Sequence, residues 1–429
     1  MKNGWSAPGR GQTRLRFPLP AQCLQNVGVN KSSLDRALIS VFLIFGLNGI
    51  IFASWAARIP AAAQSLGIGA AGVGLLLLFS AVGSVCSLPL AGSIAQRIGT
   101  AGAVRAGGLT TSAASLIIAA SLAWPNVPLA AAGLLVFGAG VGVWDVAMNL
   151  EGAEVERHFG RTLMPKFHAA FSGGAFVGAM IGAGLSAAGI SLSIHLLGIL
   201  TIAAVLVILV PRNFLPDSVP AAHGGGTGKQ APPSRFAAWK EGRTLLIGVV
   251  VLGAALTEGA ANDWVAKATV DGLGTSETAG ALMFGIFVAA MTATRWVGAR
   301  LIDLLGRVPA LRICMTASLA GLLLFVFAPT FWAAAVGAVL WGIGAALGFP
   351  MGMSAAGEDP AHAAGRVSVV STIGYMAFFL GPPVLGFVGE HWGVRNALLL
   401  VGAAMLLSIL VAPAAAEQEK IREEASDLT

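Results

Sequence analysis

Charge is scarce in this sequence. Only 11% of its 429 residues are Asp, Glu, Lys or Arg, against 56% hydrophobic residues and a mean hydropathy of +0.80. A soluble domain carries roughly a quarter charged residues, so this chain has too little polar surface to stay in water. Apolar stretches recur from about Arg36 to Val411 and leave no room for a sizeable soluble domain. Cysteine is scarce too: Cys23, Cys86 and Cys314 are too few and too scattered for a disulfide framework or a metal cluster. A phosphate-binding glycine loop, a zinc ligand set and a nucleophile elbow are all missing, so neither ATP-driven pumping nor catalysis is supported, and no cofactor is implied. Residues 1–33 are polar and basic and lack the apolar core of a cleavable secretory signal; they are expected to form a cytoplasmic N-terminal extension.

What is present is a series of apolar runs of about 20 residues, the length a spanning helix needs. The runs are continuous and far longer than the roughly 10-residue alternating segments of a barrel, which excludes that architecture. Twelve spans are expected, at 36–57, 71–94, 104–123, 127–150, 168–188, 193–211, 244–264, 279–298, 312–328, 331–353, 367–388 and 395–412. The segment 212–243, rich in Gly, Pro and Ala, reads as a cytoplasmic linker between a half at 34–211 and a half at 244–412, with a tail at 413–429. The net charge of +6 does not point to nucleic acid, because the basic residues are sorted by side. Of the 26, 22 fall in alternate loops, while the opposite loops hold only Arg58, Lys267 and Arg395, with Arg295 inside a helix. This asymmetry places both termini in the cytoplasm, on the inner face of a membrane whose lipid is the chain's main surroundings.

The two halves echo each other. Trp55-Ala-Ala-Arg58 matches Trp264-Val-Ala-Lys267, Gln96-Arg97-Ile98-Gly99 matches Asp303-Leu304-Leu305-Gly306, and Phe137-Gly-Ala-Gly140 stands beside Trp341-Gly-Ile-Gly344, as does Gly160-Arg161 beside Gly365-Arg366. These echoes in register argue for a duplicated six-helix unit, as transporters often have. With Gly92-Ser-Ile-Ala-Gln96-Arg97-Ile-Gly99, the sequence resembles the major facilitator superfamily from about residue 34 to 412. That resemblance implies an all-α membrane protein of twelve transmembrane helices in two pseudo-symmetric six-helix bundles. It also implies a gate in the loop after the second helix of each half, built here from Arg97 and Gly99 and from Asp303, Gly306 and Arg307. Gln96 replaces the family's acid in the first copy.

Ionisable groups inside a span are costly and are functional candidates by default. Asp145 and Asn149 share a face of helix four, four residues apart, and Asp145 is the first candidate for proton coupling. Glu258, several turns from either end of helix seven, is the second, with Asn262 one turn on. Helix five opens with His168 and Ser172 on one face. Helices four and five together locally resemble the fucose:proton symporter branch, with Asp145, Asn149 and His168 at the matching positions, which implies a sugar-facing role for His168; Asn149 is expected to bind substrate too. That branch has an acid on helix one, where this chain offers Asn48. Asn48, Trp144 and Tyr375 complete the expected substrate-binding set. Arg295 could pair with an acid across the bundle or reach the headgroups, and the second reading is preferred. Pro382-Pro383 should kink helix eleven. A Gly-Pro element on helix five would resemble the drug-antiporter subgroup, and Gly173 to Gly184 contains no proline, so the resemblance favours uptake over efflux.

The expected function is secondary transport of a small, sugar-like solute with proton symport, by a monomer. A proton-antiport exporter of drugs or metabolites is the first alternative, and a transport-inactive sensor or scaffold the second.

Overall fold

The computed structural model describes residues 31–160, 163–215, 238–359 and 362–417. The expected extension, linker and tail lie mostly outside these residues, as does Arg161. Within them the chain forms α1 (Lys31–Ala56), α2 (Ile59–Leu66), α3 (Ala70–Ala123), α4 (Val127–Phe159), α5 (Met164–Ala187) and α6 (Leu192–Leu209). There follow α7 (Gly242–Leu273), α8 (Glu277–Leu305), α9 (Arg307–Phe327), α10 (Phe331–Ala345), α11 (Gly348–Ala356), α12 (Ala363–Trp392), α13 (Val394–Ala397) and α14 (Leu399–Val411). Helices dominate because an apolar span must satisfy every backbone N–H and C=O within itself.

The 54 residues of α3 would extend about 81 Å as one rod, far beyond a hydrocarbon core of about 30 Å. The chain folds back inside α3 at Gly99, whose φ of 75° and ψ of 164° belong to a region that essentially only glycine occupies. The α3 segment therefore crosses twice. The α10–α11 and α13–α14 pairs are each one interrupted crossing, which brings the total to twelve transmembrane helices.

Two expected boundaries are corrected. Helical geometry holds across most of 95–103, so the loop expected there shrinks to a break at Gly99. The tenth span is interrupted at Ala346–Leu347. By contrast, α12 runs through Pro382 and Pro383 as one helix.

The duplication extends to the backbone. Gly306 repeats the geometry of Gly99, with φ 80° and ψ 163°, 207 residues later. Gly67 and Gly274, again 207 apart, cap α2 and α7 in the left-handed region at 63°/35° and 61°/34°.

Helices α1–α6 pack among themselves, as do α7–α14, and the halves meet mainly along two seams, α3 with α12 and α5 with α8. The repeat exchanges these seams. At the first the backbones nearly touch: a Cβ on Gly74 would lie 2.6 Å from the Pro382 carbonyl oxygen, and one on Gly386 would lie 2.6 Å from that of Ala70.

Most basic loops lie at the end that holds Gly99 and Gly306, here called the basic end. At the opposite end, four helices start with their own side-chain caps. Asn126, Ser191, Ser276 and Thr330 accept from the N–H three residues on, at 2.9–3.4 Å. For α3, which also starts there, the capping position is Gly69, which has no side chain to offer.

Candidate functional site

Midway along the molecule an arginine joins the halves. Arg295 of α8 donates through Nη2 to both carboxylate oxygens of Glu258 on α7, at 3.0 and 2.9 Å. Through Nη1 it donates to Ser172 Oγ on α5 of the other half, at 3.0 Å. Its Nε reaches the Ala346 carbonyl at 3.3 Å, at the break in the tenth span. The sequence explains that acceptor. The helical donor for Ala346 would be residue 350, and Pro350 has no N–H, so the carbonyl is left for the guanidinium. The preferred expectation that Arg295 snorkels to headgroups is thus corrected: a carboxylate and a helix break hold it inside the bundle. Both ends of the pair keep about a fifth of their side-chain surface open, so the pair faces a cavity rather than packed hydrocarbon.

A second cluster belongs to α4. Asn149 Nδ2 donates to the Asp145 carbonyl oxygen at 2.8 Å and lies 3.4 Å from Asp145 Oδ1. Among the described residues no cation pairs with Asp145, and Tyr375 of α12 lies within electrostatic range from the other half. His168 is exposed, rests edge-on against Phe45 at 5.4 Å between ring centres, and feels the charges of Arg295 and Glu258. The structure therefore brings Asp145, Asn149, His168, Ser172, Glu258 and Tyr375 to the seam between halves, with Arg295 at its centre.

Other expected site residues sit elsewhere. Trp144 is fully buried and backs onto α3 at Gly107, which corrects its expected place in the cavity. Successive helical residues point about 100° apart, so with Asp145 at the seam its neighbour must face the packed side. Asn48 is buried and donates to the Met148 sulfur at 3.6 Å, which corrects its assignment in the same way. Asn262 is half-buried and makes no hydrogen bond among the described residues. Of the expected gate, Arg97 and Asp303 are exposed and have no polar partner among those residues. Arg307 is tied within its own half, to Glu358 at 3.5 Å and to the Ala415 carbonyl at 3.2 Å.

Polar contacts between the halves, among the described residues, are four. Arg295–Ser172 is central and the other three lie at the end opposite the basic one. Arg58, almost fully buried, pairs with Glu277. Thr278 Oγ1 donates to Ser186 Oγ at 3.2 Å. The Ala71 N–H donates to a Glu390 carboxylate oxygen at 3.0 Å. Above the Arg58–Glu277 pair lies a vestibule of about 530 Å³ lined by Gln64, Lys267, Asp271 and Thr275 among others. At the basic end the ties run within each half. Glu151 accepts from Thr100 Oγ1 at 2.6 Å and from the Leu215 N–H at 2.8 Å, and Glu358 accepts from Arg243 at 3.1 Å. Among the described residues the ties named between the halves, apart from Arg295–Ser172, thus gather at one end, the latched end. Sequence reasoning missed the Arg58–Glu277 latch, whose one signal was Arg58 itself, one of three basic residues on the wrong side of the charge asymmetry.

Two helical halves around a polar seam, closed at one end, define the class of a membrane carrier. The model of the Major Facilitator Superfamily matches residues 247–427. The chain is 32% identical over 372 residues to an uncharacterized transporter of Sinorhizobium fredii, covering 86% of this chain and 95% of that one. It is 31% identical over 381 residues to an uncharacterized MFS-type transporter of Yersinia pestis, covering 88% and 94%. It is 28% identical over 401 residues to membrane protein MosC of Rhizobium meliloti, covering 91% and 94%. Among solved structures it is similar to the nucleoside transporter NupG, with a TM-score of 0.71 and 15% identity over 88% of this chain and 98% of that one. It is also similar to the E. coli fucose:proton symporter FucP, with a TM-score of 0.62 and 16% identity over 90% and 100%. At these identities the structural likeness concerns the fold alone. The chain belongs to the major facilitator superfamily and is a multi-pass membrane transporter.

Proposed function

We propose that this transporter is a proton-coupled symporter of a small hydroxylated, sugar-like solute. In this reading it works as a monomer in the cell inner membrane, with the basic end and both termini in the cytoplasm and the latched end outward. One observation carries the proposal. Asp145 in one half has no counter-charge among the described residues, while across the seam Glu258 is already neutralised by Arg295. An ionised carboxylate without a partner is costly in a span, so Asp145 takes a proton before the halves close around the solute and loses it when the cavity opens to the cytoplasm. Glu258 is the second coupling acid, released when Arg295 turns from it. Asn149, His168, Ser172 and Tyr375 offer the amide, imidazole and hydroxyl groups that suit a polyhydroxylated ligand. The names of NupG and FucP, a nucleoside transporter and a fucose:proton symporter, agree with that solute class. The halves, residues 34–211 and 244–412, rock about the seam, with Gly99 and Gly306 as fixed corners of the cytoplasmic gate.

The test uses the purified protein in vesicles with a panel of sugars and nucleosides. Alkalinisation outside on adding a solute is expected, with Asp145→Asn losing uphill uptake but keeping exchange of preloaded solute. Proton-driven uptake unchanged in Asp145→Asn would overturn the assignment.

A further inference from the structure

The Arg295–Glu258 pair is built less tightly than its chemistry allows. A guanidinium and a carboxylate fit best as a parallel fork, with one oxygen on each of two nitrogens. Here both Glu258 oxygens sit on one nitrogen, Nη2, at 3.0 and 2.9 Å, and Nη1 goes to Ser172 of the other half. The terminal edge of the guanidinium is therefore divided between acceptors from α7 and α5, and Nη1 keeps a second hydrogen with no acceptor among the described residues. Nε is taken by the Ala346 carbonyl, which anchors the group at the helix break and leaves the Nη1–Nη2 edge to exchange partners. Stability does not ask for such a pair, because a buried ion pair often gains nothing over apolar residues of similar volume. Both side chains stay about a fifth open to the cavity, so an acceptor arriving there can reach this edge.

Charge narrows what that acceptor can be. Among the described residues that meet at the seam, Arg295 is the one permanent cation. Asp145 of α4 and Glu258 of α7 are acids, His168 of α5 feels the charges of Arg295 and Glu258, and Tyr375 of α12 is a phenol within range of Asp145. A phosphate, with more than one negative charge at neutral pH, would meet a single cation and two carboxyls. One carboxylate matches the guanidinium both in charge and in its planar pair of oxygens. Asn149, His168 and Tyr375 are left to hydrogen-bond the rest of the solute.

We propose that Arg295 is the specificity residue of the site and takes a carboxylate of the solute, which makes the preferred solute a sugar acid rather than a neutral sugar. The solute's oxygens lie on Nη1 and Nη2, in place of Ser172 and Glu258, and the direct bond that joins the halves at the centre of the seam is given up to the solute. Glu258, stripped of its cation, then takes up a proton, a step that rests on the symport reading proposed above.

The experiment measures binding to the purified full-length chain in detergent, at neutral pH and constant ionic strength, by tryptophan fluorescence and by the shift in unfolding temperature. Gluconate, galactonate, glucuronate and galacturonate are titrated beside glucose and galactose. At least one acid should bind about tenfold more tightly than its neutral parent, the scale of a hydrogen-bonded charge pair. Arg295→Gln should abolish that preference, and Arg295→Lys should reduce it, since an ammonium presents no planar fork. Glu258→Gln removes the competing charge and keeps the shape, so it should tighten acid binding several-fold, the opposite of what loss of a merely structural pair would do. Equal affinities for acids and parents, or no binding by any acid, overturns the proposal, as does an Arg295→Gln protein that keeps the preference. If Arg295→Gln does not fold, Glu258→Gln decides, and acid binding that is unchanged or weakened there overturns it. The readout contains no proton gradient. Acids that bind but move no protons would sink the symport reading alone, and proton-coupled uptake confined to neutral sugars would sink this one alone.

Discussion

The two halves of this transporter start from one frame and spend their charges differently. Trp55-Ala-Ala-Arg58 and Trp264-Val-Ala-Lys267 occupy equivalent places, yet α1 stops at Ala56 while α7 runs on to Leu273. The cause is two residues further on: Pro60 removes the donor that the Ala56 carbonyl would use, whereas Thr269 continues the helix and bonds back to the Val265 carbonyl. Freed from the helix, Arg58 crosses to Glu277; confined to it, Lys267 takes Asp271 one turn on. The pattern recurs at depth and at the basic end. Glu151 and Glu358, 207 residues apart, both hold the chain that follows the last helix of their half. Glu151 uses a hydroxyl and a backbone N–H, and Glu358 uses Arg243 and Arg307. In the seam, Glu258 has Arg295 and Asp145 has no cation among the described residues. Duplication preserved the place of Glu151 and Glu358, whereas Asp145 and Glu258 stand on non-equivalent helices, and of that seam pair only Glu258 meets a cation among the described residues.

That contrast can be broken most directly at the paired acid. Glu258→Ala leaves Arg295 without its carboxylate and should cost on the order of 3 kcal/mol, the low end for a buried pair because both side chains stay partly open. Asp145→Ala should leave thermal unfolding in detergent almost unchanged. Equal losses from the two variants would end that contrast. Arg58→Gln should weaken closure of the latched end by about 3 kcal/mol, since Arg58 is almost fully buried and its loss leaves Glu277 without its cation. A cysteine at Ala70, buried between the halves, should then be labelled faster by a maleimide, and Lys267→Gln should leave the rate unaltered. Next in size, Gly99→Ala and Gly306→Ala should each cost about 2 kcal/mol, since both backbones lie where a Cβ is strained. Unequal shifts in unfolding temperature would show that the corners are not equivalent.

The smallest effect concerns acid stability. Burial pushes the Glu241 carboxyl up, but hydrogen bonds from Arg366 and Thr244 and the charges of Arg366 and His362 outweigh it and hold the group below its ordinary value of 4.5. Its contribution is therefore present above pH 4.5 and lost as pH falls through the lower folded value. With Glu241 about a third exposed, the effect should stay under about 1 kcal/mol. Arg366→Gln should remove this acid-dependent part of the unfolding temperature and leave the neutral-pH remainder.

Much of the fold could be read from the apolar runs, because a span of about 20 residues leaves a chain no other way to satisfy its backbone. The charge asymmetry and the tryptophan and glycine echoes pointed to two equivalent halves. What could not be read was distance between helices. Arg295 is the case in point: its acceptors come from α7, α5 and the α10–α11 break, and no single-sequence spacing relates residues so far apart. Trp144 was misplaced for a simpler reason, since adjacency in sequence is not adjacency of face. The interruption of the tenth span did have a signal, Pro350, which gained meaning only once Arg295 was seen to fill the vacancy it makes.

Glu390 links the helix caps to the carrier's resting preference. Four helices that begin at the latched end carry their own Ser, Thr or Asn cap, and α3 borrows a carboxylate from the opposite half. A lost cap costs about 1 kcal/mol, which corresponds to roughly a fivefold change in an equilibrium. Opening of the latched end must therefore leave one helix start bare to water. A single borrowed carboxylate thereby weights the carrier toward the posture in which that end is shut.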